Sequence, residues 1–305
     1  MQKDKVWPLI GPSIDNMCGR SVDVVLQECK CRNDTYTQET GVTVGNAIQF
    51  FNGHTDSYYR KKISDADAAR IIAYMNSTGA RAFCHCPFAI NLAKDPLEDK
   101  KSLTGLHADI SAVAKAGISA VCHIGHGLKN KFTVNHVCRT LSALDFWGMP
   151  GSYPLLLENA AGDGTELGVT WDELAWLAQN TDPHVGFCID TQHAFPGLKV
   201  DLTSPDSVNE FLKQVDRTVG LGRVKLFHLN DSIWYPQQEK GRKDRHASFL
   251  AEGNIWGNDP MKLRGLNHLL LRGGELEIPF VTETAPIDPY IIYSFLAKTN
   301  SPVGM

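Results

Sequence analysis

Five histidines and four carboxylates stand where short apolar runs of this 305-residue chain come to an end. His85 closes ARAFCH, His123 closes ISAVCH, Glu158 closes PLLLE, and Asp190 closes VGFCID with His193 just beyond. His228 closes VKLFH, Asp244 and His246 follow in the basic loop GRKDRH, and Glu283 closes IPFVTE. Each alone has an ordinary explanation. A lone histidine at a strand end is usually a satisfied polar residue, and a lone Asp or Glu in a turn is usually a cap or a solvated charge. Asp190 before Thr191 could cap a turn, and Asp244 could pair with Arg242 or Arg245. Nine together are not independent accidents. Crowded carboxylates repel, and burying them unpaired costs more than a fold can spare. Divalent cations resolve the conflict. Imidazole mixed with carboxylate favours Zn²⁺ or Mn²⁺ over Ca²⁺ or Mg²⁺, which prefer oxygen shells. At three to four ligands per ion, nine suffice for about two to three metals, with some carboxylates bridging.

These residues need elements that bring them to one rim. Eight apolar runs recur at 6–14, 47–51, 80–87, 118–125, 154–160, 185–191, 224–231 and 278–284. Segments with helical period lie between them. In 66–79 the period places Ala69, Ile72 and Met75 on one stripe and ends on Gly79, a fitting C-cap. Thr170, three residues before Glu173, reads as a capping box opening the helix of TWDELAWLAQN. Eight strands alternating with helices predict an α/β fold, the closed (β/α)₈ TIM barrel, whose chemistry sits at the C-terminal ends of the strands. No G-x-G-x-x-G or P-loop speaks for a doubly wound nucleotide fold. No linker or low-complexity tract divides the chain, so residues 1–305 are expected to form a single catalytic domain.

Composition narrows the classes. With 43% hydrophobic residues the chain can build a large core. No run approaches the roughly 20 apolar residues of a membrane span, and the N-terminal MQKDKVWPLIGPS lacks a signal-peptide core, so an intracellular protein, cytoplasmic or nuclear, is expected. The eight cysteines form no C-x-x-C pair; reduced thiols are expected, including the close Cys29 and Cys31. A formal net charge of −4 gives no global sign of nucleic-acid binding, so local patches must carry any such claim.

In combination and in order, LLLENAAGDGTELG (155–168), GFCIDTQHAF (186–195), FHLNDS (227–232), GRKDRH (241–246) and VTET (281–284) resemble the successive motifs of the endonuclease IV family, zinc-dependent apurinic/apyrimidinic endonucleases on a TIM barrel. The resemblance covers residues 85 to 284; each motif alone is weak. It implies three Zn²⁺ ions, with Mn²⁺ the alternative at one or more positions. His85, His123 and Glu158 would hold the first; Glu158, bridging as the central catalytic carboxylate, would share the second with Asp190, His228 and Glu283. His193, Asp244 and His246 would hold the third. It further implies a monomer that hydrolyses the phosphodiester 5′ to abasic sites in double-stranded DNA, leaving a 3′-hydroxyl and a 5′-deoxyribose phosphate. Accompanying 3′-phosphodiesterase or 3′-exonuclease activity is left open. Three divalent ions would add more positive charge than the formal −4 removes.

Arg242, Lys243 and Arg245, with Lys240 beside them, are the expected phosphate contacts, joined by Arg60, Lys61, Lys62, Lys129 and Lys131 on other strand-end loops; the alternative for each cluster is a solvated charged loop. Phe88 matches the family's aromatic wedge position, with small Ala89 beside it, though plain packing at the rim is the competing reading; His54 is a looser candidate. The chain departs from the family pattern at ENAAG, at HIGHG and at Thr282, and its spacing to Glu252 is longer; none of these removes a ligand. A single-metal sugar isomerase or epimerase on the same barrel would need only Glu158, Asp190, His228 and Glu283. It would not need the other five ligands or the basic loop.

Overall fold

The computed structural model describes residues 8–14, 21–42, 44–58, 63–128, 130–144, 153–234, 236, 241–251 and 253–300. Its strands are β1 (Ile10–Ile14), β2 (Ala47–Phe51), β3 (Arg81–His85), β4 (Ser119–His123), β5 (Leu155–Glu158), β6 (Val185–Asp190), β7 (Val224–His228), β8 (Asp231–Ser232), β9 (His246–Ala247) and β10 (Phe280–Thr282). Eight of them close a parallel barrel in the order β1-β10-β7-β6-β5-β4-β3-β2, as the eight apolar runs require, and β8 and β9 pair antiparallel outside it. Helices 22–40, 65–78, 100–114, 131–142, 171–180, 205–219, 263–275 and 288–300 cover the barrel. No helix among the described residues is long and apolar enough to cross a membrane.

Side chains alternate across each strand, so an inward residue recurs every second position. Ala47, Phe83, Val121, Leu156, Cys188, Leu226 and Val281 form a separate apolar cluster inside the barrel, while their neighbours face the helices. Two residues further along each strand the inward position is Gln49, His85, His123, Glu158, Asp190, His228 and Glu283. A packed apolar floor therefore lies directly beneath a polar layer. Period 2 and the barrel's register, with His123 opposite Glu158 and Asp190 opposite His228, put the predicted ligands at one level.

The helical signals act as their chemistry demands. Thr170 and Glu173 form the reciprocal capping box, and Gly79 ends helix 65–78 in the left-handed region at φ 68°. The stripe expected on that helix is corrected by one residue. Ala68, Ile71 and Tyr74 are buried, Met75 is half-buried, and Ala69 and Ile72 face solvent. Tyrosine's apolar body serves the core here, and fully burying Ile71 contributes about 1.5–3 kcal/mol.

Candidate metal centre

His85, His123, Glu158, Asp190 and His228 are the last residues of β3 to β7, and Glu283 follows β10 directly. Glu158, fully buried, stands between them. Its Oε2 lies 3.1 Å from His85 Nε2 and 3.5 Å from His123 Nε2, while its Oε1 lies 2.9 Å from His228 Nδ1 and 3.3 Å from His193 Nδ1. His228 Nδ1 is also 3.2 Å from Glu283 Oε2 and 3.8 Å from Asp190 Oδ2. Donors bound to one ion at about 2.0–2.2 Å sit about 3.3–3.6 Å apart in a tetrahedron. The spacings therefore fit ligand shells in which Glu158 is shared.

Three groups have one ligand atom per residue within 4.8 Å of one another: His85, His123 and Glu158; Glu158, Asp190, His228 and Glu283; and Asp190, His193 and His246. Asp244 joins the third region from the loop, with its Oδ1 3.6 Å from His193 Nε2 and 3.5 Å from His246 Nε2. Asp190 reaches His246 Nε2 at 3.9 Å and so touches the second and third groups alike.

Several imidazoles are fixed through their other nitrogen. His85 Nδ1 bonds the Cys86 carbonyl at 2.6 Å, His193 Nδ1 bonds the Asn159 carbonyl at 2.9 Å, and His228 Nε2 bonds Gln49 Oε1 at 2.8 Å. Such contacts choose the tautomer and aim the remaining lone pair. Asn159 accepts from the Asp190 N–H and donates to its carbonyl. Asn230 donates to Asp190 Oδ2 at 2.6 Å and to Glu283 Oε2 at 3.3 Å.

The electrostatics describe a site that wants positive charge. Burial would keep His193 and His228 neutral, but the surrounding acidic groups (Asp190, Asp244 and Glu158 for His193; Cys188, Glu283 and Glu158 for His228) raise both well above the ordinary value. Burial likewise opposes charge on Glu158, and His228, His123 and His193 override it and hold the carboxyl well below its usual range. At His123 burial wins over Glu158, and the ring falls to about 4. A divalent ion bound here would take the place of protons that the carboxylates otherwise draw onto imidazoles.

The loop 241–247 is tied down by residues distant in sequence. The Asp163 carboxylate accepts from the Lys243 N–H at 2.7 Å and the Asp244 N–H at 3.2 Å, and Gln192 Nε2 donates to the Lys243 carbonyl at 2.7 Å. The β8–β9 pair brings His246 over the rim. Beneath it, buried Asp231 accepts from the N–H groups of Ser232, Ile255 and Gly257. Gly253 is required there, since a Cβ would lie 2.0 Å from Asp231 Oδ2.

Of the expected DNA-contact residues, Phe88 and Arg242 border the same opening, and Lys243 and Arg245 follow Arg242 in the same loop. Phe88 is 51% exposed at the rim and stands edge-on to Phe51 at 5.6 Å, His85 at 5.7 Å and His123 at 5.5 Å. Arg242 and Arg245 are exposed and Lys243 is half-buried. The Arg242 guanidinium is committed to Asp244 Oδ2 at 3.0 Å, the pairing that was the ordinary alternative for this carboxylate. Arg60, Lys61, Lys62, Lys129, Lys240, Glu252 and the Lys131 side chain lie outside the described residues. Cys29 and Cys31 are free thiols. The opening is a cavity of about 1050 Å³, bordered by Phe88, His123, His193, Asp244, His246 and Glu283 among others.

Gln49, Asp163, Gln192, Asn159 and Asn230 support these ligands and were not among the predicted site residues. Gln49 alone had an independent signal, an amide at an inward position of the apolar run AIQFF.

A family model described as xylose isomerase-like TIM barrel matches residues 40–261. The probable endonuclease 4 of Haloarcula marismortui is 33% identical over 79% of this chain and 83% of its own length. Endonuclease 4 of Thermus thermophilus is 31% identical over 68% of this chain and 73% of its own. A crystal structure of endonuclease IV from Thermus thermophilus superposes with a TM-score of 0.72 at 26% identity, covering 95% of this chain and 98% of that one.

Proposed function

The chain belongs to the endonuclease IV family of xylose isomerase-like TIM barrels, and from that premise we propose that it is a metal-dependent endonuclease that repairs DNA at abasic sites. It acts as a monomer, with residues 1–305 as one catalytic domain and double-stranded DNA as its partner. Water hydrolyses the phosphodiester 5′ to the abasic site: the P–O3′ bond breaks, a P–O bond to water forms, and the products are a 3′-hydroxyl and a 5′-deoxyribose phosphate. A 3′-phosphodiesterase or 3′-exonuclease activity at the same centre is compatible with this chemistry, since the bond broken is of the same kind.

The residues present fit three Zn²⁺ ions, with Mn²⁺ as the alternative. His85, His123 and Glu158 would hold one; Glu158, Asp190, His228 and Glu283 a second; His193, Asp244 and His246, with Asp190 at their edge, a third. Such ions, when bound, supply a nucleophilic water at neutral pH and positive charge for the phosphoryl oxygens. The chain's own contribution is positioning. Glu158 holds two ligand groups at a fixed distance through its two oxygens. Asp190 belongs to the second and third groups alike, and Asn230 fixes it by donating to Asp190 Oδ2 and Glu283 Oε2. Phe88, at the mouth, presents an aromatic face beside the ligands where an extruded nucleotide must enter. Lys243, Arg245 and Arg242 flank the third group and would contact backbone phosphates without reading sequence.

The observation that carries this reading is the joining of His193, Asp244 and His246 to the four-residue group around Glu158. A one-metal sugar isomerase has no use for that third set, whereas a phosphodiester has two oxygens to stabilise besides the attacked phosphorus. The test uses a duplex with one tetrahydrofuran abasic analogue, which β-elimination cannot cleave. Metal-loaded protein is expected to make a single cut leaving a 3′-hydroxyl. A folded, metal-loaded protein that leaves the duplex intact would overturn the proposal.

A further inference from the structure

The geometry points to Gln49 as a positioning residue for the Glu158–Asp190–His228–Glu283 group, setting the tautomer of His228 and the rotamer of Glu283 together; this rests on the metal reading above. Gln49 is fully buried in β2, and β2 supplies no ligand. Its amide nitrogen lies 2.9 Å from Glu283 Oε1 and 3.2 Å from Ser13 Oγ, and its amide oxygen lies 2.8 Å from His228 Nε2.

The chemistry of these partners leaves one self-consistent arrangement. A carboxylate is an acceptor, so the amide group facing Glu283 must be the NH₂. The amide oxygen therefore faces His228, and His228 Nε2 must carry a hydrogen to meet it. The other ring nitrogen, Nδ1, is then aimed into the group, at 2.9 Å from Glu158 Oε1 and 3.2 Å from Glu283 Oε2. Without a metal a proton on Nδ1 meets those carboxylates, and a bound ion would take that proton's place on the Nδ1 lone pair. Gln49 thus forces His228 to offer Nδ1 as a ligand, and the same amide holds one Glu283 oxygen so that the other faces the ion.

His228 differs in this from the other fixed imidazoles. His85 and His193 lean on main-chain carbonyls, of Cys86 and Asn159, which no side-chain substitution removes. His228 leans on a side chain, so one substitution can release it. That makes the prediction selective for one metal position.

The experiment titrates Zn²⁺ into metal-free protein against a chromophoric chelator, for wild type, Gln49→Met and Ser13→Ala. Long-range ¹H–¹⁵N spectra report the histidine tautomers of the zinc-loaded proteins. Removing a ligand's outer partner typically costs about 10–100-fold in metal affinity. In Gln49→Met one class of site is expected to weaken by that factor, with the remaining classes unchanged and the Nε2–H of His228, no longer hydrogen-bonded, exchanging faster with water. Ser13→Ala removes the amide's third partner and should leave every class within about threefold of wild type. Should Gln49→Met fail to fold, Gln49→Leu, a branched apolar side chain without either amide partner, is the second variant. It should weaken the same single class and likewise leave the Nε2–H of His228 without its acceptor. Wild-type affinities in the variants, or equal weakening of all classes, would sink the role of Gln49 while sparing the metal site. A wild-type protein that binds no zinc would sink both.

Discussion

His85, His123, Glu158, Asp190 and His228 are the last residues of barrel strands, whereas Asp244 and His246 reach the same cavity from the loop that follows β7. The strand-borne carboxylates Glu158 and Asp190 are fully buried, while the side chains of Asp244 and His246 are 26% and 21% exposed. The first set inherits its positions from the register, because each ligand sits two residues above a packed apolar residue. Slipping a strand by one would turn the ligand outward and a helix-facing residue inward. The second set inherits nothing from the sheet. It is placed by main-chain hydrogen bonds donated to Asp163, by one accepted from Gln192, and by the short β8–β9 pair. The lesson is one of tolerance. The strand-borne half should keep its backbone positions when one supporting side chain is lost, with only the ring of His228 leaning on a single side chain, Gln49, whereas the loop-borne half should shift as a whole when one of its few ties is cut.

The largest effect tests the strand-borne half at its centre. Glu158→Gln keeps shape and burial but removes the charge that faces both sides. Incision of abasic duplex is expected to fall by about 10³-fold or more, beyond the 10²–10³ typical of one lost stabilising group at a reacting centre. The circular dichroism spectrum should be preserved. Near-normal turnover would break the assignment of Glu158 as the shared ligand. The loop-borne half is tested by Asp163→Ala, which removes the tie to two main-chain N–H groups without touching a ligand. Activity should fall about 10–100-fold, the range for losing a support behind a ligand, with zinc content lowered by one ion per chain. Full zinc content with unchanged activity would mean that β8 and β9 hold the loop unaided.

The comparison also explains what the sequence revealed. A polar residue ending an apolar strand-like run is visible because period 2 carries the inward face past the floor, so His85, His123, Glu158, Asp190, His228 and Glu283 were legible, as was the barrel. Gln49 obeys the same rule, but an amide inside AIQFF is compatible with either face of the strand until the register is known. Asp163 and Gln192 act on residues 80 and 51 positions away, and no local pattern encodes that. The β8–β9 pair has two residues per strand, too few for any periodicity. The stripe on helix 65–78 lies one residue earlier than its aliphatic spacing predicts because the ring of Tyr74 packs as an apolar surface.

Arg242 sharpens the comparison at smaller scale, since two roles compete for one exposed side chain. Arg242→Ala is expected to weaken binding to damaged and undamaged duplex alike, and to make the plot of log K against log[salt] shallower by about one unit of slope, as loss of one phosphate contact does. Unchanged binding at every salt concentration, accompanied by weaker zinc retention, would assign Arg242 to Asp244 instead, its partner at 3.0 Å.

The smallest effect needs no substitution. Cys188 lies in the apolar floor directly below Asp190, and burial, against an opposing influence of His228, pushes its thiol up to about 12. At pH 8 its thiolate is scarce and enclosed, so a maleimide or iodoacetamide should label exposed Cys31 within minutes and leave Cys188 unlabelled until denaturant is added. Metal removal by a chelator should not change that pattern, because the floor is held by packing and the metals by the layer above it. Labelling of Cys188 on metal removal alone would show that floor and ligands form one cooperative unit, and the distinction between register-held and loop-held ligands would then fail at its foundation.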